Sequence, residues 1–429
     1  MQGSDSSGRF FFESVETEPV GSVLYEEHLK LADKSRLAPF AGFLMPLWYS
    51  SISAEHQAVR QAAGLFDCTH MGVLDVAGPH AERFLDVATT NKVAGLEVGR
   101  AQYGYILDAA GNVLDDIIIY RRAAEDFMVV VNAANEPKIK AYFSELTSGV
   151  LPVDADEPGR KLEHIPEIRD MRDTVAGDDC RVDIALQGPR SLEILLAVTG
   201  AGEAAERIEA LRPFRLTEQR IGEIDCLISR TGYTGAKTGF ELFVHPRQAA
   251  RLWNVLLEKG AAMGLVPCGL GSRDSLRIEA GLPLYGHELA GRFNISPFEA
   301  GYGWAVKLQK QFFIGKAAMA RTAETYDMKV ARIELPGAQG VRPVRPNDAV
   351  LNGEGECIGW VLSCAKAGQK QFALAYVNRN AAQEEDQVGV YYLARNKRQV
   401  EQGRKDRVQK QQVLRADATG TVAARFAKF

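Results

Sequence analysis

The chain has 429 residues, a formal net charge of −4, 25% charged residues and 46% hydrophobic ones. At about 150 residues per domain this length gives two or three domains, and the composition is that of an ordinary globular protein. The weak negative charge argues against a nucleic-acid footprint, and no apolar run approaches the roughly 20 residues that span a membrane.

The six cysteines, Cys68, Cys180, Cys226, Cys268, Cys357 and Cys364, form no CxxC pair and no cluster, which fits free thiols in a reducing compartment. The seven histidines contain no HExxH-like pair, so no metal is expected. The start, MQGSDSSGRFFFESVETEPVGS, has no long apolar core behind a basic end and carries three glutamates and one aspartate against one arginine. It reads as neither a secretory signal nor a transit peptide. Residues 1–23 are expected to be a mobile extension, and a cytoplasmic location follows by default.

In chain order, 24–37 and 53–66 read as helices, 72–78 as a strand and 79–90 as a helix. Residues 100–122 read as a hairpin around the turn 108–112, and 127–135 as a strand leading into a helix at 137–149. The scheme returns with a strand, a Gly-Pro turn and a helix at 182–200, a hairpin at 226–246 and a helix at 247–264. Strand–helix units and hairpins thus occur twice, predicting an α+β fold with two related sub-domains built on antiparallel sheets. After about residue 329 the chain turns to short β segments with Gly/Pro turns, which predicts a small C-terminal β-barrel. The expected division is an extension at 1–23, the paired sub-domains over 24–290, a connecting segment at 291–328 and the barrel over 329–429. The charged run 396–412 reads as a solvated loop or helix inserted in the barrel.

Two acids interrupt the first hairpin. Asp115 and Asp116 follow Val113 and Leu114 and precede Ile117, Ile118, Ile119 and Tyr120. Alternate strand residues share a face, so neither acid has a polar face to itself. Solvated acids at a frayed strand end are one reading. If one is buried, it needs hydrogen-bond donors or must take a proton, since an unpaired buried charge costs several kcal/mol.

The strings FAGFLMPLWY (40–49), AGLFDCTHMG (63–72), AQYGYILDAAGNVLDDIIIY (101–120), VVVNAAN (129–135), ALQGP (185–189), RTGYTG (230–235), GFE (239–241), PCGLGSRDSLRIEAGLPLYGHEL (267–289), ISPFEAGYGWAVKL (295–308) and FIGK (313–316) follow one another in order. From about Leu24 to about Val377 the chain resembles the T-protein family of the glycine cleavage system, aminomethyltransferases that use tetrahydrofolate. The resemblance implies a cloverleaf of domains around a central folate channel and a transient lipoylated H-protein as partner. It implies Asp115 as the acid against the reactive folate nitrogens, with Asp116 structural. It also implies Tyr103 packed on the folate, Met71, Val130 and Asn132 lining the pterin pocket, and Tyr233 and Glu241 flanking the second hairpin turn. Glu241 would take amino-group hydrogens of the pterin. Arg273 would meet the glutamate carboxylate, Trp304 would lie near the channel, and Arg425 is the candidate for a late folate-binding arginine.

Each of these residues has a plainer reading. Tyr103, Met71 and Trp304 suit a core, Asn132 a turn or cap, Glu241 a solvent-facing strand, and Arg273 a helical salt bridge to Asp274 or Glu279. The glycines of RTGYTGAKTG suit a hairpin turn, because they lack P-loop spacing. The chain departs from the family at GYTGAKTGFE, one residue longer than the usual turn, and at LSCAKAGQKQFALAYV (362–377). Those departures leave open a folate-dependent demethylase acting on an O-, N- or S-methyl donor; an accessory folate-binding protein of the same superfamily is a further reading.

Overall fold

The computed structural model describes residues 2–5, 8–14, 17–157, 159–338, 340–427 and 429. The chain forms two compact units. One comprises Met1–Gly232, Ala236–Arg273 and Trp304–Arg321, the other Tyr233–Gly235, Asp274–Gly303 and Thr322–Phe429.

The first unit contains the predicted repeat. Its five-stranded sheet runs Glu167–Asp170, Gly72–Ala77, Asp126–Val131, Val113–Ala123, Arg100–Leu107, with every neighbouring pair antiparallel. Its six-stranded sheet runs Leu216–Ile221, Ile224–Ser229, Gly239–Val244, Val182–Gln187, Ala63–Asp67, Leu265–Cys268. In both, the opening strand (Gly72–Ala77 or Val182–Gln187) lies beside the closing strand, and the other two follow outward in the same order. Both opening strands leave through a Gly-Pro turn into a helix, Ala81–Ala88 or Ser191–Thr199. Gly188 has φ of 128°, and a Cβ there would lie 2.6 Å from the Ala62 carbonyl oxygen, so only glycine fits.

Apolar residues fill both faces of the first sheet. Leu74, Val76, Ile117, Ile119, Phe127, Val129 and Val131 pack with Phe84 and Leu85 of one helix and Phe143 and Leu146 of another, Glu136–Thr147. The opposite face, with Val73, Ala101, Tyr120, Met128 and Val130, meets Leu216, Leu227 and Phe243 of the second sheet. Strands covered on two sides lose their polar–apolar alternation, which is why the run around the two acids is apolar throughout.

The helix expected over 53–66 ends at Gln61, and Ala63–Asp67 is a fully buried strand inside the second sheet. A short apolar run has the same periodicity in either state, and here both its edges are paired. The helix expected over 24–37 stops at Leu31, where Asp33 caps a 3₁₀ turn by accepting from the Ser35 N–H at 2.8 Å.

Within residues 1–23, expected to be a mobile extension, the described parts form strand pairs. Gln2–Ser4 pairs with Phe10–Phe12, and Val20–Gly21 pairs with Phe43–Pro46; residues 1, 6, 7, 15 and 16 lie outside the described residues. Phe10 anchors this segment. It is 6% exposed, lies 5.0 Å from the Tyr142 ring, and its N–H donates to Asp108 Oδ2 at 3.0 Å. Phe10→Ala is expected to cost about 3–5 kcal/mol in chemical denaturation. Phe11→Ala, at a side chain 45% exposed, should stay within about 0.5 kcal/mol. Equal losses would contradict the anchoring.

In the second unit Met328–Pro336, Lys370–Asn378, Cys357–Ala367, Ala349–Leu351, Gln387–Tyr391 and Ala418–Ala423 close into the expected barrel around Ile333, Val350, Val361, Ala375 and Val390. The run 396–412 carries one short helix, Lys397–Glu401, and is mostly exposed. The segment 291–328, expected to be a connection, divides between the two units. Residues 274–303 belong to the barrel's unit, whereas 304–321 belong to the first, held by Thr90 Oγ1 donating to Ala305 O and by Lys310 Nζ donating to Thr89 O and Asn91 O. Among the described residues no helix is long and apolar enough to cross a membrane.

Candidate active site

The hairpin Arg100–Leu107/Val113–Ala123 decides which face each acid takes. Its register sets Tyr105 opposite Asp116 and Tyr103 opposite Ile118, and Ile118 pairs with Val130 on the next strand. Tyr103, Asp116, Ile118, Tyr120 and Val130 therefore share the face turned to the second sheet, where Met71 and Ile118 pack half-buried on the core between the sheets. Asp116 is half-buried on that face. Asp115 points the other way and is completely buried.

One amide joins the pair. Asn132 Nδ2 donates to Asp115 Oδ1 and to Asp116 Oδ1, both at 2.8 Å, while its backbone N–H donates to Asp115 Oδ2 at 2.9 Å. Tyr103 Oη donates to Asp116 Oδ2 at 2.9 Å. Behind them Asn135 Nδ2 donates to Asp115 Oδ1 at 2.5 Å, and Lys138 Nζ donates to Asn135 Oδ1 at 2.9 Å. The acid expected at the reaction centre, Asp115, is thus spent on three amide donors and faces away. Asp116, expected to be structural, lies half-buried on the face turned to the second sheet.

Burial, then the charge of Asp116, pushes Asp115 up to about 7, against the pull of its amide donors. Burial also raises Asp116, opposed by the bonds from Tyr103 and Asn132, and lowers Lys138 to about 8. A carboxyl whose folded pKa lies above its unfolded value near 3.8 binds more protons when folded, so its contribution to stability falls as pH rises. The unfolding free energy of the wild type, relative to Asp115→Asn, should fall between pH about 4 and about 7 and level off above. Denaturant titrations at a series of pH values check this, and a rising difference would contradict it.

Glu241 stands on Gly239–Val244 of the second sheet. Its Oε2 accepts from Tyr120 Oη at 2.8 Å and from Thr231 Oγ1. The solvent-facing alternative for Glu241 therefore fails. Nearby, Asp183 is 2% exposed, and its Oδ1 has no hydrogen-bond partner among the described residues. Burial, and then the charge of Glu241, drives its pKa well up. In the sequence Asp183 is marked only as an acid within an apolar strand, as Asp115 is.

The remaining candidates divide between the units. In the first, the Arg273 guanidinium lies 5.9 Å from the Phe66 ring centroid, and its charge is felt at Cys68, His70 and Asp183. Asp274, one partner considered for Arg273, accepts from Arg277 Nε at 2.8 Å. Trp304 is 53% exposed with its ring 6.0 Å from that of Tyr103, so it is not core. In the second unit, Tyr233 Oη donates to Pro283 O. Arg425 is half-buried there, and its two terminal nitrogens donate to the Gly281 and Ala300 carbonyls, while its Nε has no hydrogen-bond partner among the described residues. No group of His, Cys, Asp and Glu among the described residues is arranged to hold a metal ion.

The arrangement is an ionisable acid on a half-buried face, a second carboxylate one strand system away, and apolar and aromatic walls between them. That suits an N–H-bearing ligand and proton management. The sequence model of the GCVT N-terminal domain matches residues 24–310. An aminomethyltransferase of Streptomyces avermitilis is 41% identical over 347 residues, covering 80% of this chain and 85% of that protein. One of Symbiobacterium thermophilum is 42% identical over 360 residues, covering 82% and 88%. The crystal structure of glycine cleavage system aminomethyltransferase T from Bartonella henselae superposes with a TM-score of 0.72 at 29% identity, covering 95% of this chain and 97% of that one. On sequence and fold together, the chain belongs to the GCVT family of aminomethyltransferases.

Proposed function

We propose that the chain transfers the aminomethyl group carried by a lipoylated H-protein to tetrahydrofolate, releasing ammonia and giving 5,10-methylenetetrahydrofolate and the dihydrolipoyl protein. Aminomethyl transfer is the activity of its family; the acceptor, the partner and the residue roles are the proposal. The observation that carries it is the placement of Asp116 and Glu241 around one half-buried face.

Tetrahydrofolate fits the residues present. Met71, Ile118 and Val130 offer apolar walls and Tyr103 an aromatic one. Glu241 offers an acceptor for pterin N–H groups, and the unpartnered Asp183 Oδ1 is a buried polar atom that a polar ring edge satisfies. Arg273 suits the carboxylate of the glutamate tail, where a planar fork has a geometric advantage over lysine. Bound tetrahydrofolate supplies the nitrogens that receive the one-carbon unit.

Asp116 is assigned the central role. Held by Tyr103 and Asn132, its carboxylate orients a ligand N–H, accepts that proton and offsets positive charge that develops during transfer. Such general-base and electrostatic help is worth about 10²–10⁴ in rate. Asp115, Asn135 and Lys138 hold Asn132 and the strand behind it. A cytoplasmic setting completes the proposal, supported by six cysteines that are all free thiols.

Titration with tetrahydrofolate tests the acceptor. Wild type should bind it, and Glu241→Ala should weaken binding by about tenfold or more, the scale of a hydrogen bond to a charged group. Absence of binding to the wild type would remove tetrahydrofolate from the account.

A further inference from the structure

The two hydroxyls on Glu241 have no part in the roles described so far. Tyr120 comes from the first sheet, on Val113–Ala123, and Thr231 from the segment after Ile224–Ser229 in the second. Both reach the same oxygen, Oε2. Ser229 Oγ lies 2.9 Å from Thr231 Oγ1. A hydroxyl has one proton, and that of Thr231 goes to the carboxylate, so Ser229 donates to Thr231. The three hydroxyls are buried, at 1% exposure for Tyr120, 8% for Thr231 and 0% for Ser229. Tyr120 is wedged edge-on against Phe243 at 5.3 Å, which fixes its ring.

We infer that Tyr120 and Thr231 are positioning residues that fix Glu241 from both repeats at once and leave it one oxygen, Oε1, for the ligand. Oε2 already accepts two O–H bonds, matching its two lone pairs, whereas no group among the described residues is hydrogen-bonded to Oε1. The carboxylate therefore meets the ligand through a single acceptor in a set direction, not as a freely turning two-pronged acceptor for paired N–H groups. Because one donor belongs to each repeat, the direction depends on the two sheets keeping their spacing. Tyr120 stays an O–H donor, since burial and the neighbouring Glu241 charge hold its hydroxyl well above its ordinary pKa. Pre-setting the rotamer removes an entropic cost that the ligand would otherwise meet on binding.

This inference rests on the reading that Glu241 contacts tetrahydrofolate, and the experiment separates the two. Tetrahydrofolate affinity, kcat and melting temperature are measured for wild type, Tyr120→Phe, Thr231→Val, Thr231→Ser and Glu241→Ala. Tyr120→Phe and Thr231→Val should each weaken tetrahydrofolate binding by about five- to tenfold with kcat within about twofold, in line with loss of one bond to a charged group. Thr231→Ser keeps the hydroxyl and should bind within about twofold of wild type, a rescue that a packing role would not give. If Glu241→Ala weakens binding while Tyr120→Phe and Thr231→Val do not, the positioning role is overturned and the contact stands. Thr231→Ser as weak as Thr231→Val would likewise reduce Thr231 to packing. If Glu241→Ala itself leaves affinity unchanged, the contact is wrong and the inference falls with it.

Discussion

Asp116→Asn is expected to lower kcat by about 10²–10⁴-fold while tetrahydrofolate affinity stays within about threefold. The substitution removes charge with little change of shape. The new amide can keep its oxygen toward Asn132 Nδ2, and its NH₂ can face Tyr103, whose hydroxyl turns from donor to acceptor. Folding should therefore survive, and the lost rate reports the carboxylate. Asp115→Asn is a different experiment. The new oxygen can keep the side-chain amides of Asn132 and Asn135, but the new NH₂ then meets the Asn132 backbone N–H, which cannot turn round to accept. It is expected to cost about 1–3 kcal/mol of stability with a smaller effect on kcat. Steady-state kinetics beside denaturant titration separate the two acids. A larger kcat loss in Asp115→Asn than in Asp116→Asn would reverse the assignment.

The second large effect lies in the barrel's unit. Arg277 and Glu288 are 1% and 0% exposed and pair at 2.5 Å, and Arg277 also donates to Asp274 and Ser363. Burial disfavours the guanidinium charge, yet Glu288 holds its pKa above the ordinary value. Breaking such a pair leaves a buried charge without its partner, so Arg277→Leu is expected to cost about 3–5 kcal/mol. Replacing both residues by leucines should cost less than either single change, because no charge is stranded. Denaturant titration of the cycle checks this. A loss under about 1 kcal/mol for Arg277→Leu would mean that water or another anion compensates the glutamate.

The parts of the fold legible in the sequence were those where local pattern and tertiary context agree. The hairpin at 100–122 and the doubled strand–turn–helix scheme rest on turn residues and apolar runs, and both formed. The strand Ala63–Asp67 was not legible, because AGLF reads equally as helix and strand until its neighbours are known. The docking of the N-terminal stretch was signalled by three consecutive phenylalanines, of which only Phe10 is fully buried; the surrounding polar residues masked it. At the candidate site, residue types were legible and directions were not. Asp115 and Asp116 are both flanked by apolar residues, because both faces of their strand are covered, and a two-residue period carries no contrast there. Only the register with Tyr103 and Tyr105 shows which acid turns toward the second sheet. Tyr120 and Asp183 were passed over for the same reason, as one aromatic and one acid within apolar strands.

The most direct test is a single-turnover reaction of the purified chain with tetrahydrofolate and aminomethyl-loaded H-protein, reading ammonia and 5,10-methylenetetrahydrofolate together. The account predicts stoichiometric formation of both by the wild type and by Asp115→Asn, and loss of both in Asp116→Asn. Tetrahydrofolate bound by the wild type without either product, or products undiminished in Asp116→Asn, would contradict it.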